Sequence, residues 1–200
     1  MNWGLINCPS DSDTIIETLN QFQSYPEITI CELGIGNGNT GNRMVDFLKS
    51  IKIEKIKYFG IDNKSLSILS KRDCKHQFEH EEMQFIHGDY NNIVPCDFIL
   101  VDACHCADCV HRDAIAASKK VHPNGYMAFH DTSLLWQYPH NTKRNSWQHY
   151  ESGEQIRPLN VVEGIMSSRC LWDGEWQLFL QTGDNLTWGG MRVYKKLVQT

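Results

Sequence analysis

The chain alternates short apolar runs with stretches in which apolar residues recur at helical spacing. The short runs, typical of buried strands, lie at residues 28–33, 56–62, 83–89, 97–102 and 126–131. Helices are predicted at residues 43–50, from residue 66, and at residues 114–121. This alternation predicts an α/β fold, a Rossmann-like doubly wound sheet that is mostly parallel and has helices on both faces.

The two ends of the chain extend this pattern. Residues 1–27 predict one amphipathic helix, capped by Ser10 or Asp11 and ended by Pro26. Residues 161–167 predict another helix, and residues 175–181 and 190–196 a closing pair of strands. Between residues 133 and 160 the periodicity is lost in an aromatic, polar segment, which predicts a lid or substrate loop. We therefore expect about seven strands in a single domain spanning residues 1–200.

Composition narrows the class of protein. The 200 residues are 41% hydrophobic and 22% charged, and no apolar run approaches the length of a membrane span. Residues 1–20 lack the pattern of a secretory signal, so we expect a cytoplasmic protein whose cysteines are thiols. A net charge of −5, with lysine and arginine spread thinly, argues against nucleic acid as a substrate or partner. The sequence does not determine whether the chain forms homo-oligomers.

A glycine-rich loop follows the first predicted strand. Glycines in such a loop adopt positive φ angles and let a ligand approach the backbone, while the next helix offers N–H groups to an anion. Gly36, Gly38 and Gly41 fit the dinucleotide pattern G-x-G-x-x-G. An overlapping pattern runs Glu32-x-Gly34-x-Gly36-x-Gly38 and includes an acid at the end of the strand. The loop therefore predicts a cofactor site and leaves two cofactor classes open.

Each of the first five predicted strands ends in an acidic residue. The carboxyl ends of parallel strands meet at one edge of the sheet, where ligands bind. Carboxylates gathered there repel one another unless hydroxyls, an amine or a metal ion engage them. The second of these acids is placed to accept the hydroxyls of a ribose, as either cofactor class would require. The five residues are Glu32, Asp62, Asp89, Asp102 and Asp131.

The pattern at residues 32–38 resembles the first motif of class I S-adenosylmethionine-dependent methyltransferases. Residues 28–132 are similar to their cephalosporin-hydroxylase-like and macrocin O-methyltransferase-like subfamily. The resemblance implies a sheet whose last strand runs antiparallel, and methylation of an oxygen of a small hydroxylated molecule. Besides the glycine loop, it depends on Asn39-Thr40, Asp62, Gly88-Asp89, Asp102-x-x-His105, Asp113, Pro123-x-Gly125 and His130-Asp131.

The resemblance also implies roles for individual residues. S-adenosylmethionine would be held at its amino-acid end by Glu32, Gly34, Gly36 and Thr40, at its ribose by Asp62, near its adenine by Asp89, and alongside by Asp102. A divalent cation would be bound by Asp102, His130 and Asp131. Because imidazole binds Mg²⁺ poorly, His130 favours a softer ion such as Mn²⁺. The candidate catalytic residues are Asp102, His105 and His130.

Two other functions remain open at this point. A nicotinamide-dependent oxidoreductase would use the same glycine loop, although no Tyr-x-x-x-Lys or similar hydride-transfer group is recognisable. A non-catalytic module would bind the cofactor without turning it over.

A run of cysteines follows the fourth predicted strand. Cys104, Cys106, Cys109 and His111 form the pattern C-x-C-x-x-C-x-H. Structural zinc sites usually draw their four ligands from two well separated pairs, and residues two apart on a helix point to different sides. We therefore interpret these cysteines as small, partly buried thiols.

Overall fold

The fold is organised around a sheet of seven strands. The computed structural model describes residues 9–36, 38–64, 80–133, 147–148, 155–156, 160–183 and 189–198. The sheet strands are β1 (Glu27–Leu33), β2 (Lys55–Asp62), β3 (Met83–His87), β4 (Cys96–Val101), β5 (Val121–His130), β8 (Trp176–Gln181) and β9 (Met191–Lys196). Two further strands, β6 (Trp147–Gln148) and β7 (Gln155–Ile156), form a separate antiparallel pair.

The strand order is β3-β2-β1-β4-β5-β9-β8. The first five of these strands run parallel to one another, and β9 runs antiparallel to both β5 and β8. Because β1 lies in the middle of the parallel part, the loop that follows it opens between the ends of β2 and β4. The predicted fold class is confirmed, including the antiparallel orientation of the last strand.

Helices cover both faces of the sheet. Helices α1 (Pro9–Leu19) and α2 (Asn39–Ser50) bury Ile15, Leu19, Met44 and Leu48 against one face. Helices α3 (Ala107–Ser118) and α4 (Val161–Ser168) cover the other face with apolar residues such as Val110 and Ile165. Short 3₁₀ helices lie at Asn20–Phe22, Tyr90–Asn92 and Arg169–Leu171. Apolar burial on both faces leaves the carboxyl edge of the sheet as the place for polar chemistry.

Several predicted boundaries were wrong. Helix α3 begins at Ala107 rather than at residue 114, and α2 begins at Asn39 rather than at residue 43. The strand predicted at residues 126–131 begins earlier, so residues 123–125 lie inside β5, where the pairing with β4 shifts register and Asn124 has a φ angle of 65°. Ser10 and Asp11 do not cap α1, because both lie inside it.

Two predictions concern segments that lie mainly outside the described residues. The helix predicted from residue 66 lies outside the described residues, and so does the lid at residues 133–160 apart from its ends and the pair β6 and β7. No helix in the described ranges is long and apolar enough to cross a membrane.

Candidate active site

The glycine loop leaves the end of β1 in a sharply turned conformation. The Gly34 N–H donates to the Ile61 carbonyl of β2 (2.8 Å), and the Asp102 N–H donates to the Leu33 carbonyl (2.9 Å). Gly34 has a φ angle of 87°, and a Cβ atom built on it would lie 2.4 Å from the Asp102 carbonyl oxygen. Only glycine fits this close approach of β1 to β4.

The next glycine differs, because its surroundings are open. Gly36 has a φ angle of 50°, and a Cβ atom built there would meet nothing within 4 Å. Helix α2 begins just beyond, after Gly38, with its positive end directed toward the loop and no side chain capping it. Thr40 is buried in the first turn of this helix. The loop therefore leaves room over Gly36 for an anionic ligand group to approach a helix N-terminus.

The two glycines give a matched test of the loop. We expect Gly34→Ala to destabilise the fold by about 3 kcal/mol or more, because its Cβ would collide with backbone. Gly36→Ala should lower the free energy of unfolding by only about 1 kcal/mol, because the positive φ angle is the only source of strain there. It should nevertheless weaken cofactor binding, since the added methyl group occupies the space above the loop. Denaturant unfolding and calorimetric titration with S-adenosylmethionine separate the two effects. Equal stability losses in the two variants would contradict this account of the loop.

Asp62, at the end of β2, supports the loop from one side. Its carboxylate accepts hydrogen bonds from the Ile35 N–H (3.3 Å) and the Lys64 N–H (2.8 Å). Asp89, beyond β3, caps the 3₁₀ helix Tyr90–Asn92 by accepting from the Asn91 N–H (2.8 Å). Since β3, β2, β1 and β4 are neighbours, Asp89, Asp62 and the glycine loop follow one another along the same edge of the sheet.

Glu32 lies beneath the loop rather than on its surface. It is 2% exposed, and the Tyr58 hydroxyl hydrogen-bonds to its carboxyl group. Burial raises the pKa of Glu32 to about 8, because few polar groups replace the water that a carboxylate would need; the hydrogen bond from Tyr58 only partly opposes this. Burial also raises the pKa of Tyr58 well above its ordinary value. Glu32 is therefore protonated at neutral pH in the structure.

This shift gives stability a pH dependence. An unfolded chain releases the Glu32 proton near pH 4.5, whereas the folded protein keeps it up to about pH 8. Between these values the folded state binds more protons, so the free energy of unfolding should fall as pH rises, by at most about 1.4 kcal/mol per pH unit. In Glu32→Gln this contribution to the fall of the free energy of unfolding with pH should be absent. Urea unfolding of both proteins at about pH 5 and about pH 8 measures the difference, and parallel losses of stability in the two would show that Glu32 ionises normally.

Four titratable side chains meet where β4 and β5 end. His105 Nε2 lies 3.3 Å from Asp102 Oδ1 and 3.0 Å from Asp131 Oδ2. His130 Nδ1 lies 3.2 Å from Asp102 Oδ1 and 3.7 Å from Asp131 Oδ2. Asp102 and Asp131 thus face the same crevice, on either side of two imidazole rings. We refer to these four residues as the acid–histidine cluster.

Charge pairing dominates the ionisation of this cluster. Burial alone lowers the pKa of His105, but the carboxylates of Asp131 and Asp102 outweigh it and raise that pKa to about 10. The same balance raises the pKa of His130 well above its usual range. Burial raises the pKa of Asp102, and the two histidines reverse this and hold it below its ordinary value. Both carboxylates are therefore matched by positive charge in the structure.

The backbone and one buried oxygen of Asp131 are also unusual. Asp131 has a φ angle of 56°, a left-handed conformation that costs a non-glycine residue about 1–2 kcal/mol. Its Oδ1 atom is buried and has no hydrogen-bond partner among the described residues. A buried carboxylate oxygen without a partner is suited to coordinate a cation or to accept a hydrogen bond from a substrate hydroxyl. Ligand atoms of Asp102, His105 and Asp131 all lie within 4.8 Å of one another, a spacing at which they could hold one ion.

A fifth residue that sequence reasoning missed joins the cluster. Asp11 of α1 is fully buried, and its Oδ2 atom lies 3.2 Å from His130 Nε2 and accepts from the Gly190 N–H (3.1 Å). Its Oδ1 atom accepts from the Thr182 hydroxyl (3.2 Å). His130 is therefore held at both ring nitrogens by carboxylates. The only signal in the sequence was an acid near a helix start, which ordinarily predicts a cap.

The cysteines near the start of α3 lie beside this cluster. The sulfurs of Cys104, Cys106 and Cys109 lie within 4.8 Å of one another, which the spacing argument from the sequence did not anticipate. Hydrogen bonding with Cys104 and Cys106 raises the pKa of the Cys109 thiol well above its usual range. His111, the fourth member of the sequence pattern, instead lies 2.9 Å from the Ser167 hydroxyl of α4.

Comparison with known proteins identifies the family. The sequence profile of the methyltransferase domain matches residues 31–132, about half of the chain. The chain belongs to the methyltransferase domain family. The matched residues include the glycine loop and the acid–histidine cluster. No curated protein sequence is significantly similar to this methyltransferase.

Solved structures agree on the fold. An S-adenosylmethionine-dependent methyltransferase from Clostridium acetobutylicum superposes with a TM-score of 0.62 at 14% identity, over 94% of this chain and 91% of that chain. The O-methyltransferase NovP gives 0.59 at 10% identity, over 93% and 79%. An rRNA methylase from Streptococcus thermophilus gives 0.52 at 13% identity, over 96% and 99%. This methyltransferase therefore has the fold of these structures. Membership of the methyltransferase domain family supports S-adenosylmethionine as its cofactor and does not favour the nicotinamide alternative.

Proposed function

We propose that this protein transfers the methyl group of S-adenosylmethionine to a hydroxyl oxygen of a small molecule, assisted by a divalent cation. The observation that carries the proposal is the position of the acid–histidine cluster. It lies at the ends of β4 and β5, next to the glycine loop at the end of β1. A hydroxyl held at the cluster would face a methyl group held over the loop.

The cofactor part of the proposal is supported by the donors and acceptors along the sheet edge. The amino-acid end would lie over Gly36, near the N-terminus of α2, and the ribose hydroxyls beside Asp62. Asp89 would border the adenine. Glu32 is buried under the loop, so we expect it to support the loop from below and to bind the ammonium group only if it ionises. The sulfonium of S-adenosylmethionine already activates the methyl group, so the protein mainly aligns the reactants.

The metal part rests on the donor set. Asp102 and Asp131 would supply carboxylate oxygens, and His105 or His130 an imidazole nitrogen once its proton has been displaced. This donor set suits Mn²⁺, Fe²⁺ or Zn²⁺ better than Mg²⁺. The buried Oδ1 atom of Asp131 lacks a partner among the described residues, as a ligand awaiting a cation would. A cation bound there would lower the pKa of the substrate hydroxyl. Asp11 would keep His130 oriented from behind.

The acceptor is proposed to be a small molecule rather than RNA. The net charge of −5 does not suit a phosphate-backbone partner. Structural neighbours include an rRNA methylase and TrmN from Thermus thermophilus, so RNA is included in the test. S-adenosylmethionine with a labelled methyl group would be incubated with catechols, hydroxylated sugars, phenols, and ribosomal and transfer RNA. We expect label only in hydroxylated small molecules; label in RNA, or binding without any turnover, would overturn the proposed substrate class.

A further inference from the structure

The cysteine cluster before α3 has the geometry of a metal site. Cys104 and Cys106 place their sulfurs 3.6 Å apart, and Cys109 Sγ lies within 4.8 Å of both. Two thiolates bound to one zinc ion at 2.3 Å and a tetrahedral angle are about 3.8 Å apart. A disulfide would instead require sulfurs about 2.05 Å apart, and none of the described cysteines forms one.

Without a metal the pKa of the Cys109 thiol is raised, so an ion would bind by displacing thiol protons, and two nearby features would stabilise the thiolates that result. Cys106 is the N-cap of the 12-residue helix α3, and its sulfur accepts from the Cys109 N–H (3.3 Å). The positive end of a helix stabilises a thiolate. The Arg112 guanidinium adds a positive charge 3.4 Å from Cys109 Sγ. Three thiolates this close would still repel one another, and a soft cation offsets that repulsion.

The cysteine cluster is accessible from solvent and lies next to His105 in the chain. Cys104 and Cys106 are partly exposed while Cys109 is buried, so an ion can reach the sulfurs from solvent. His105 lies between the first two cysteines in sequence, but its ring turns toward Asp102 and Asp131. An ion held by the sulfurs would therefore fix the backbone of the segment that carries His105.

We propose that Cys104, Cys106 and Cys109 bind one zinc ion, or a similar thiophilic cation, through three thiolates, with water as the fourth ligand. The ion acts as a clip that holds residues 102–109 and so positions His105 in the acid–histidine cluster. This inference does not depend on the proposed methyl transfer, since binding of the ion is measured without substrate.

Cobalt titration tests the proposal, because thiolate-bound Co²⁺ gives an intense sulfur-to-metal charge-transfer band that oxygen and nitrogen ligands do not. Protein stripped of metal under a phosphine reductant would be titrated with Co²⁺ and then with Zn²⁺. We expect one equivalent of Co²⁺ to produce the band and Zn²⁺ to remove it. Binding of Co²⁺ at the acid–histidine cluster would leave the charge-transfer region unchanged, so Asp131→Asn should retain the band.

Serine variants identify the ligands. Cys106→Ser should weaken Co²⁺ binding by more than about 100-fold, since loss of a direct ligand exceeds loss of an outer partner. Serine is a good N-cap, so this variant should keep the metal-free melting temperature of the parent protein. Cys104→Ser, at a partly exposed position, provides a second test, and Cys170→Ser, at an exposed cysteine outside the cluster, is the matched control. The absence of a thiolate band in the parent protein, or an unchanged band in Cys106→Ser, would overturn the proposal.

Discussion

Replacing Asp62 with alanine should weaken binding of S-adenosylmethionine by about 30- to 1,000-fold. A charged acceptor for the ribose hydroxyls is worth roughly 2–4 kcal/mol. The structure adds a second cause, because Asp62 also accepts the Ile35 N–H at the centre of the glycine loop. Losing the carboxylate therefore removes both a ligand contact and a support of the loop. Isothermal titration with S-adenosylmethionine and with its demethylated product measures the effect.

Asp46→Ala is the matched control for this variant. Asp46 lies on α2 with about half of its side chain exposed, and its removal changes the net charge equally. We expect the control to bind the cofactor as the parent protein does. Unchanged binding in Asp62→Ala, with the fold verified by circular dichroism, would remove Asp62 from the cofactor site.

Chelation of divalent ions should abolish methyl transfer, and Asp131→Asn should lower turnover by at least about 100-fold. A cation that stabilises the developing alkoxide contributes several kcal/mol to the reaction. Asp131 is buried beside Asp102, so its amide variant would remove one charged ligand while keeping the shape of the site. Cofactor binding should survive both treatments, because its proposed contacts lie mainly on β1, β2 and β3. Turnover with and without EDTA, followed by addition of Mn²⁺, Fe²⁺, Mg²⁺ or Zn²⁺, measures the requirement.

This experiment must distinguish the contribution of the acid–histidine cluster to turnover from that of the cysteine cluster. A chelator would also strip an ion from the cysteine cluster, whereas Asp131→Asn affects only the acid–histidine cluster. Restoration of turnover by Mn²⁺ in Cys106→Ser would assign the chemical requirement to Asp102 and Asp131. Full activity of the parent protein in excess EDTA would exclude the cation from the reaction and leave proton removal to the acid–histidine cluster as a whole.

The position of the glycine loop could be predicted from local pattern. An apolar run, a set of closely spaced glycines and a helical stripe occur in immediate succession between residues 28 and 48. Each of these signals depends only on neighbours along the chain. The parallel part of the sheet was also predicted, because a helix between two successive strands is the usual crossover connection of a parallel pair. The predicted sheet alone places four acids at one edge, because each lies at the carboxyl end of a parallel strand: Asp62, Asp89, Asp102 and Asp131.

The interior of the site could not be predicted in the same way. The sequence suggested Asp11 as a helix cap, yet its carboxylate lies 3.2 Å from His130, 119 positions away. The family resemblance implied that Glu32 holds the amino-acid end of the cofactor, but its side chain is buried and hydrogen-bonded to Tyr58. The direction of the Glu32 side chain depends on how α2 packs over β1 and β2, which cannot be predicted from local sequence.

The cysteines show the same division between sequence and tertiary structure. Their spacing along the chain argued against a four-ligand zinc site, and His111 does point elsewhere. Their sulfurs nevertheless converge, because residues 104–106 are held against the first turn of α3 by the cap at Cys106. The sequence by itself determined the fold, the loop and the order of acids along the sheet edge, since these follow from periodicity and strand direction. Only the tertiary structure decided which side chains meet, because contacts between distant segments depend on packing and on the direction of each side chain.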